Sequence, residues 1–256
     1  MQEEAETSLR RYRTTRKGVL ALFFSFVISF IQTIFSFILS IWSIYRVGSV
    51  LSESESLLDL LLKLADYLKS NFLEWCTTQI LFLMVYLFTV LMMGYGFIQI
   101  FKGRDFIGRK HSIRVKVAMG LTGFWLLAKF TALSLFFISI FTAMISIIGL
   151  PLSFFISMSG AISLVSVKYL SVSALVDIHG RIFLIAGVVL DCLSSLCTGI
   201  LSVIIWVAFF DISTLAISII LFLVYLVLST LSDLFFAIGY LCAALRLKRL
   251  HSEKQG

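Results

Sequence analysis

The chain has 256 residues, of which 60% are hydrophobic and only 14% are charged, and its formal net charge is +7. Soluble domains are about half apolar, so this composition excludes an ordinary soluble protein and places the chain in a lipid bilayer. The positive charge is informative mainly through its distribution along the chain, because Lys and Arg set the orientation of membrane spans.

The first predicted elements are a basic cytoplasmic segment over residues 1–17 and a membrane span over residues 18–45, which holds no charged residue. About 20 apolar residues suffice to cross the hydrocarbon, and a secretory signal would be shorter, so we expect a retained span. Polar residues recur within it at steps of three and four and therefore predict one face that packs against other helices. This helix-packing stripe consists of Ser25, Ser29, Gln32, Ser36, Ser40 and Ser43.

The connection over residues 46–74 has a more acidic character than the other loops. Its leucines recur at helical spacing, and Asp59 and Lys63 form an i, i+4 pair beside them. The pattern predicts an amphipathic extracytoplasmic helix. It is compatible both with a helix that lies on the membrane and with one that caps the bundle.

Spans two and three are predicted over residues 75–101 and 117–149, and a strongly basic segment separates them. Such a segment orients the spans, and it could also bind an anionic lipid, an acidic protein or a nucleic-acid phosphate chain. The lack of an aromatic stacking platform disfavours nucleic acid. The basic cytoplasmic face consists of Lys102, Arg104, Arg109, Lys110, Arg114 and Lys116.

Spans four to six are predicted over residues 152–176, 182–210 and 212–245, and a basic cytoplasmic tail follows over residues 246–256. A turn is expected at residues 149–151, where the only proline of the chain lies. The predicted fold class is therefore all-α, a polytopic integral membrane protein with six transmembrane helices in one domain over residues 18–245.

The distribution of Lys and Arg predicts that both termini are cytoplasmic. Five precede span one, six separate spans two and three, two lie near the link of spans four and five, and four follow span six, so that 17 of the 21 are on one side. The positive-inside rule requires this asymmetry. We expect a multi-pass protein of the plasma membrane.

Three ionisable residues are predicted inside the spans: Lys129, Asp191 and Asp233. Counting along each helix places all three about 6 to 8 Å to the cytoplasmic side of the midplane. A lone charge at this depth costs about 3 kcal/mol, which favours pairing inside the bundle. Our hypothesis is that Lys129 pairs with one aspartate while the other holds or shares a proton, so that the three groups titrate as a unit. Hydroxyl residues on the same faces, Ser194, Ser195, Thr198 and Ser229, extend this candidate substrate or ion pathway.

Three interpretations of the charges stay open: a pair that fixes helix packing, a substrate or ion pathway, and a lysine that extends to the interface unpaired. A cavity lined by Ser194, Ser195 and Ser229 would favour the pathway, and a dry centre would oppose it. The leading function is a transporter or channel-type protein. The alternative is a non-catalytic membrane subunit or scaffold whose basic face binds a partner.

No hydrolase motif, paired-carboxylate motif or zinc-ligand spacing occurs in the chain. We therefore expect no enzyme activity, no cofactor and no metal. The bilayer is the expected partner, together with an anionic lipid or an acidic protein at the basic face, and assembly into an oligomer or larger complex stays open.

Overall fold

The protein is described here by a computed structural model that covers the backbone of residues 2–52, 57–141, 146–208 and 213–253. These residues form six α-helices, and the 3-10 helix Arg104–Phe106 lies between the second and third. The α-helices are α1 (Gln2–Ser52), α2 (Leu57–Lys102), α3 (Arg109–Phe141), α4 (Ser146–Leu170), α5 (Ile178–Ala208) and α6 (Ser213–Glu253). Each is long and apolar enough to cross a membrane, which confirms the prediction of an all-helical, six-span membrane protein.

The helices pack in their order in the chain, and the last helix, α6, also packs against the first, α1. Helix α1 contacts α2 and α6, α6 contacts α5, α5 contacts α4, and α4 contacts α3. Long helices suit this environment because each satisfies its own backbone hydrogen bonds where lipid offers none. The arrangement puts α6 between α1 and α5, and its side chains meet the polar groups of both.

The start of α1 and the end of α6 lie at the same end of the bundle, which we call the basic end. There the ring of Tyr12 stacks on His251, with 4.0 Å between ring centroids, and contacts Phe106 at 5.4 Å. The Thr15 hydroxyl donates a hydrogen bond of 3.1 Å to the carbonyl of Gly103. These contacts join the start of α1, the α2–α3 connection and the end of α6.

The contact between α1 and α2 near the basic end is a close backbone approach. A methyl group added at Gly18 would lie 2.6 Å from the carbonyl oxygen of Gly96, and one added at Gly96 would meet the side chain of Leu22 at the same distance. Only glycine fits at such a crossing. The crossing therefore fixes how the first two helices meet.

Two predicted boundaries differ from the structure. The helix expected between spans one and two is part of α2, which is continuous from Leu57 to Lys102. The turn expected at residues 149–151 lies inside α4, where Pro151 falls in the second turn and removes only one hydrogen bond near the helix end. Residues 142–145, between α3 and α4, lie outside the described residues.

Candidate functional site

A buried ion pair joins α4 to α5. The Lys168 ammonium lies 2.6 Å from a carboxylate oxygen of Asp191, and the two side chains are 9% and 20% exposed. In the sequence, Lys168 is one of the two basic residues near the link of spans four and five. The structure instead places its amine inside the bundle.

This finding corrects the hypothesis that Lys129 neutralises an aspartate. Helical side chains lean toward the N-terminus of their helix, and α4 runs toward the basic end, so Lys168 leans back into the membrane. Among the described residues, no carboxylate lies within ion-pairing distance of Lys129. The sequence did contain the signal, because the predicted span over residues 152–176 includes Lys168.

Two aromatic rings complete the surroundings of the Lys168 ammonium. Phe236 of α6 lies 5.1 Å from it and Phe26 of α1 lies 5.5 Å from it, measured to the ring centroids. Both phenylalanines are fully buried. The negative faces of aromatic rings attract a cation, and that attraction is stronger where water is absent. The amine is thus held by groups from three neighbouring helices.

The end of α4 is fixed by Tyr240 of α6. Its hydroxyl donates a hydrogen bond of 2.7 Å to the Lys168 carbonyl and lies 2.8 Å from the Ser171 hydroxyl. The chain that follows α4 is buried, and Arg114 of α3 donates to the Ser173 hydroxyl at 3.1 Å. Terminal carbonyls of a helix need such partners when the helix ends inside the protein.

Asp233 of α6 forms a second polar contact, this time with α1. Its carboxylate accepts a hydrogen bond of 2.6 Å from the Ser29 hydroxyl and a longer one of 3.5 Å from Thr33. Asp233 is buried, and both aspartates interact electrostatically with Lys168. One amine therefore faces two carboxylates, which it cannot neutralise together.

The residues of the predicted helix-packing stripe of α1 contact different partners. Ser29 contacts α6, and the Gln32 amide donates to the carbonyl of Phe82 on α2 at 3.2 Å. Within α1 itself, the Ser25 hydroxyl donates to the Leu22 carbonyl and the Ser40 hydroxyl donates to the Ser36 carbonyl. Ser43 is exposed. Its polar residues thus contact α6 and α2 and do not form one continuous interface.

A hydroxyl-lined cavity of about 380 Å³ lies between α3, α4, α5 and α6. Six of the residues singled out in the sequence line it, whereas Asp233 does not: Lys129, Asp191, Ser194, Ser195, Thr198 and Ser229. Sequence reasoning missed its α4 wall, which includes Ser153 and Ser157. Asp191 is both a wall residue and the partner of Lys168, so the cavity and the ion pair share one carboxylate.

The basic cytoplasmic face predicted between spans two and three is only partly free. Arg114 is bound to Ser173, and Arg104 lies over the Phe101 ring at 4.4 Å and donates to its carbonyl. Ser112 donates to the Asp105 carboxylate at 2.7 Å, and this hydrogen bond lowers the pKa of Asp105. The remaining four side chains are exposed: Lys102, Arg109, Lys110 and Lys116.

Comparison with known proteins assigns no relative to the chain. No family model, curated protein or solved structure matches it. Within the described residues, no group of three or more His, Cys, Asp or Glu side chains is arranged to hold a metal ion. The fold and the site define a multi-span membrane protein with a charged, hydroxyl-lined cavity in its bundle.

Proposed function

We propose that this protein is a small transporter or channel-type protein whose hydroxyl-lined cavity receives a polar solute or ion. The observation that carries the proposal is that Asp191 belongs both to the cavity wall and to the ion pair with Lys168. A change of charge or hydration in the cavity therefore acts directly on a contact between α4 and α5.

The energetic cost of the arrangement supports a pathway. A charged side chain inside a bilayer costs about 3 kcal/mol, and such groups commonly mark ion and substrate routes. A cavity of about 380 Å³ has room for several water molecules. Water in the cavity would solvate Lys129, which is exposed and lines its wall.

Coupling would follow from the imbalance of charge. Lys168 interacts with both Asp191 and Asp233 but contacts only Asp191. A proton or cation that reaches Asp191 from the cavity weakens its attraction for the amine and favours a shift of Lys168 toward Asp233. Because Asp233 is bonded to α1, this shift would change how α4 meets α1 and α6.

The orientation is part of the proposal. The basic end lies in the cytoplasm, because it gathers most of the Lys and Arg residues. We further propose that the protein resides in the plasma membrane and catalyses no reaction.

A second candidate function is that of a membrane subunit or scaffold. It is favoured by the fact that the contacts of both aspartates join two helices, Lys168 to Asp191 across α4 and α5 and Ser29 to Asp233 across α1 and α6. Polar contacts of this kind stabilise helix association in lipid. In that case the exposed cations of the basic face would bind an anionic lipid, an acidic protein or another subunit.

Accessibility of the cavity to water separates the two candidates. In a background with the four cysteines replaced by alanine, Ser195→Cys and Ser229→Cys should react with a membrane-impermeant thiol reagent added to sealed vesicles. Leu193→Cys is the matched control, because Leu193 is exposed on the outside of α5 and would lie in lipid. Labelling of Ser195→Cys and Ser229→Cys no faster than the control would favour the scaffold.

A further inference from the structure

A second cleft, of about 480 Å³, lies on the outside of α1 and α2 at the basic end. Arg10, Arg13 and Lys17 line its α1 side, and Tyr95 and Gln99 line its α2 side. The three basic residues are three and four positions apart, so they project from one face of α1. The cleft is separate from the hydroxyl-lined cavity, which α1 and α2 do not line.

Among the residues whose side chains the structure describes, cations outnumber acids in this cleft. Glu6 is the one acidic residue of that set that lines it, against three cations. In the part of the chain that the structure describes, none of these cations forms an ion pair. All three are exposed, so the cleft presents a concentrated positive charge to an incoming ligand.

The shape of the cleft is set by the rigid helix crossing beside it. Gly18 directly follows Lys17, and Gly96 directly follows Tyr95, and these two glycines make the close backbone approach described above. The helix backbones that carry the basic side chains of α1 and the polar side chains of α2 are therefore held close together. A surface formed by flexible loops would not hold them in this way.

Apolar side chains continue the cleft away from the basic end. On α1, Phe24, Ile31 and Phe35 follow Lys17 at steps of seven, seven and four, and all are exposed. On α2, Leu91, Phe88 and Met84 precede Tyr95 at steps of four, three and four, and they are 72%, 56% and 64% exposed. Each set shares the helix face of its cleft residues. Two apolar tracks therefore lead from one basic site into the membrane.

We propose that this cleft binds one phospholipid with an anionic headgroup. The phosphate and headgroup lie among Arg10, Arg13 and Lys17, where charge-assisted hydrogen bonds to phosphate form readily. Tyr95 lies at the interface level where amphipathic aromatic residues concentrate, and the acyl chains follow the two apolar tracks. A soluble phosphate would use the cations and leave the tracks without a role, so the lipid accounts for more of the surface.

Native mass spectrometry of the purified full-length protein tests this proposal. Phosphatidylglycerol and phosphatidylcholine with identical acyl chains are added separately, and the fraction of protein that retains one lipid is measured. We expect the wild type to retain phosphatidylglycerol preferentially. The triple variant Arg10→Gln/Arg13→Gln/Lys17→Gln should lose at least about tenfold in affinity, because each basic residue near an anionic surface contributes about a factor of five.

The matched control is Arg181→Gln/Lys248→Gln/Arg249→Gln, which removes the same charge from exposed positions outside both the cleft and the basic cytoplasmic face. It should retain the lipid like the wild type, and an equal loss in both triples would overturn the proposal in favour of diffuse attraction. Equal retention of phosphatidylcholine would also overturn it. So would displacement of the lipid by glycerol phosphate at a similar concentration, which would indicate a soluble-anion site.

The double variant Arg10→Gln/Arg13→Gln, which keeps Lys17 at the membrane surface, provides the same comparison if the triple variant fails to fold.

Discussion

The two lysines inside the spans lie in regions that are packed very differently. Lys168 is enclosed by a carboxylate, two phenylalanine rings and the buried end of α4, whereas Lys129 lines a hydroxyl-rich cavity and is exposed. The same charge has different surroundings in the two regions: Lys168 is paired with a carboxylate inside the protein, and Lys129 has no ion-pair partner among the described residues. The difference is set by what surrounds each amine, and depth in the membrane alone does not predict it.

Removing the Lys168 amine should produce the largest effect. Lys168→Met leaves Asp191 beside apolar rings with no cation, and breaking a buried pair from one side costs about 3–5 kcal/mol. Lys168→Met/Asp191→Asn removes both charges and should recover most of that stability. Thermal unfolding in detergent, followed by size-exclusion chromatography, measures both changes.

Lys129→Met is the control for this prediction, and we expect it to change the stability by less than about 1 kcal/mol. Equal destabilisation by Lys129→Met and Lys168→Met would remove the contrast between the two regions. The double variant also bears on function. In proteoliposomes that contain a trapped pH dye, a transporter coupled through the pair should remain folded and lose proton flux, whereas a scaffold would show no flux in either form.

The number of spans could be derived from the sequence because membrane spans are long apolar segments separated by charges, as the six helices confirm. Helix ends were less predictable, because apolarity marks what lies in lipid and helices continue beyond it. Helix α1, for example, begins at Gln2 and includes the basic segment.

The cavity residues of α5 were predictable because Ser194, Ser195 and Thr198 share a helix face with Asp191. The partner of Asp191 could not be predicted in this way. It depends on the direction in which the Lys168 side chain leans and on the point where α4 ends, and neither follows from hydropathy. Tyr240, which fixes that end, comes from a helix some seventy residues later in the chain.

Hydroxyl groups in the packed region and in the cavity should also contribute differently to stability, and the difference should be smaller than that between the two lysines. Ser29→Ala removes a 2.6 Å hydrogen bond to the buried Asp233, and a bond to a charged group contributes about 1.5–3 kcal/mol. Ser195→Ala alters a wall of the cavity that we propose to be hydrated, so we expect a change within about 0.5 kcal/mol. Unfolding of the two variants under identical conditions gives the comparison. A larger loss for Ser195→Ala would mean that the cavity is dry and its hydroxyls are structural.

The smallest effect is expected at the basic end, where the hydrogen bond from Ser112 lowers the pKa of Asp105. A carboxyl group whose pKa is lower in the folded state stabilises that state above its unfolded pKa of about 4 and loses this contribution as the pH falls further. The wild type should therefore unfold at a slightly higher temperature than Ser112→Ala at neutral pH, and the difference should shrink below about pH 4. Because Asp105 is exposed, screening by water and salt keeps the difference small. A difference that persists unchanged at low pH would show that Ser112 stabilises this end through packing, with no contribution from the Asp105 charge.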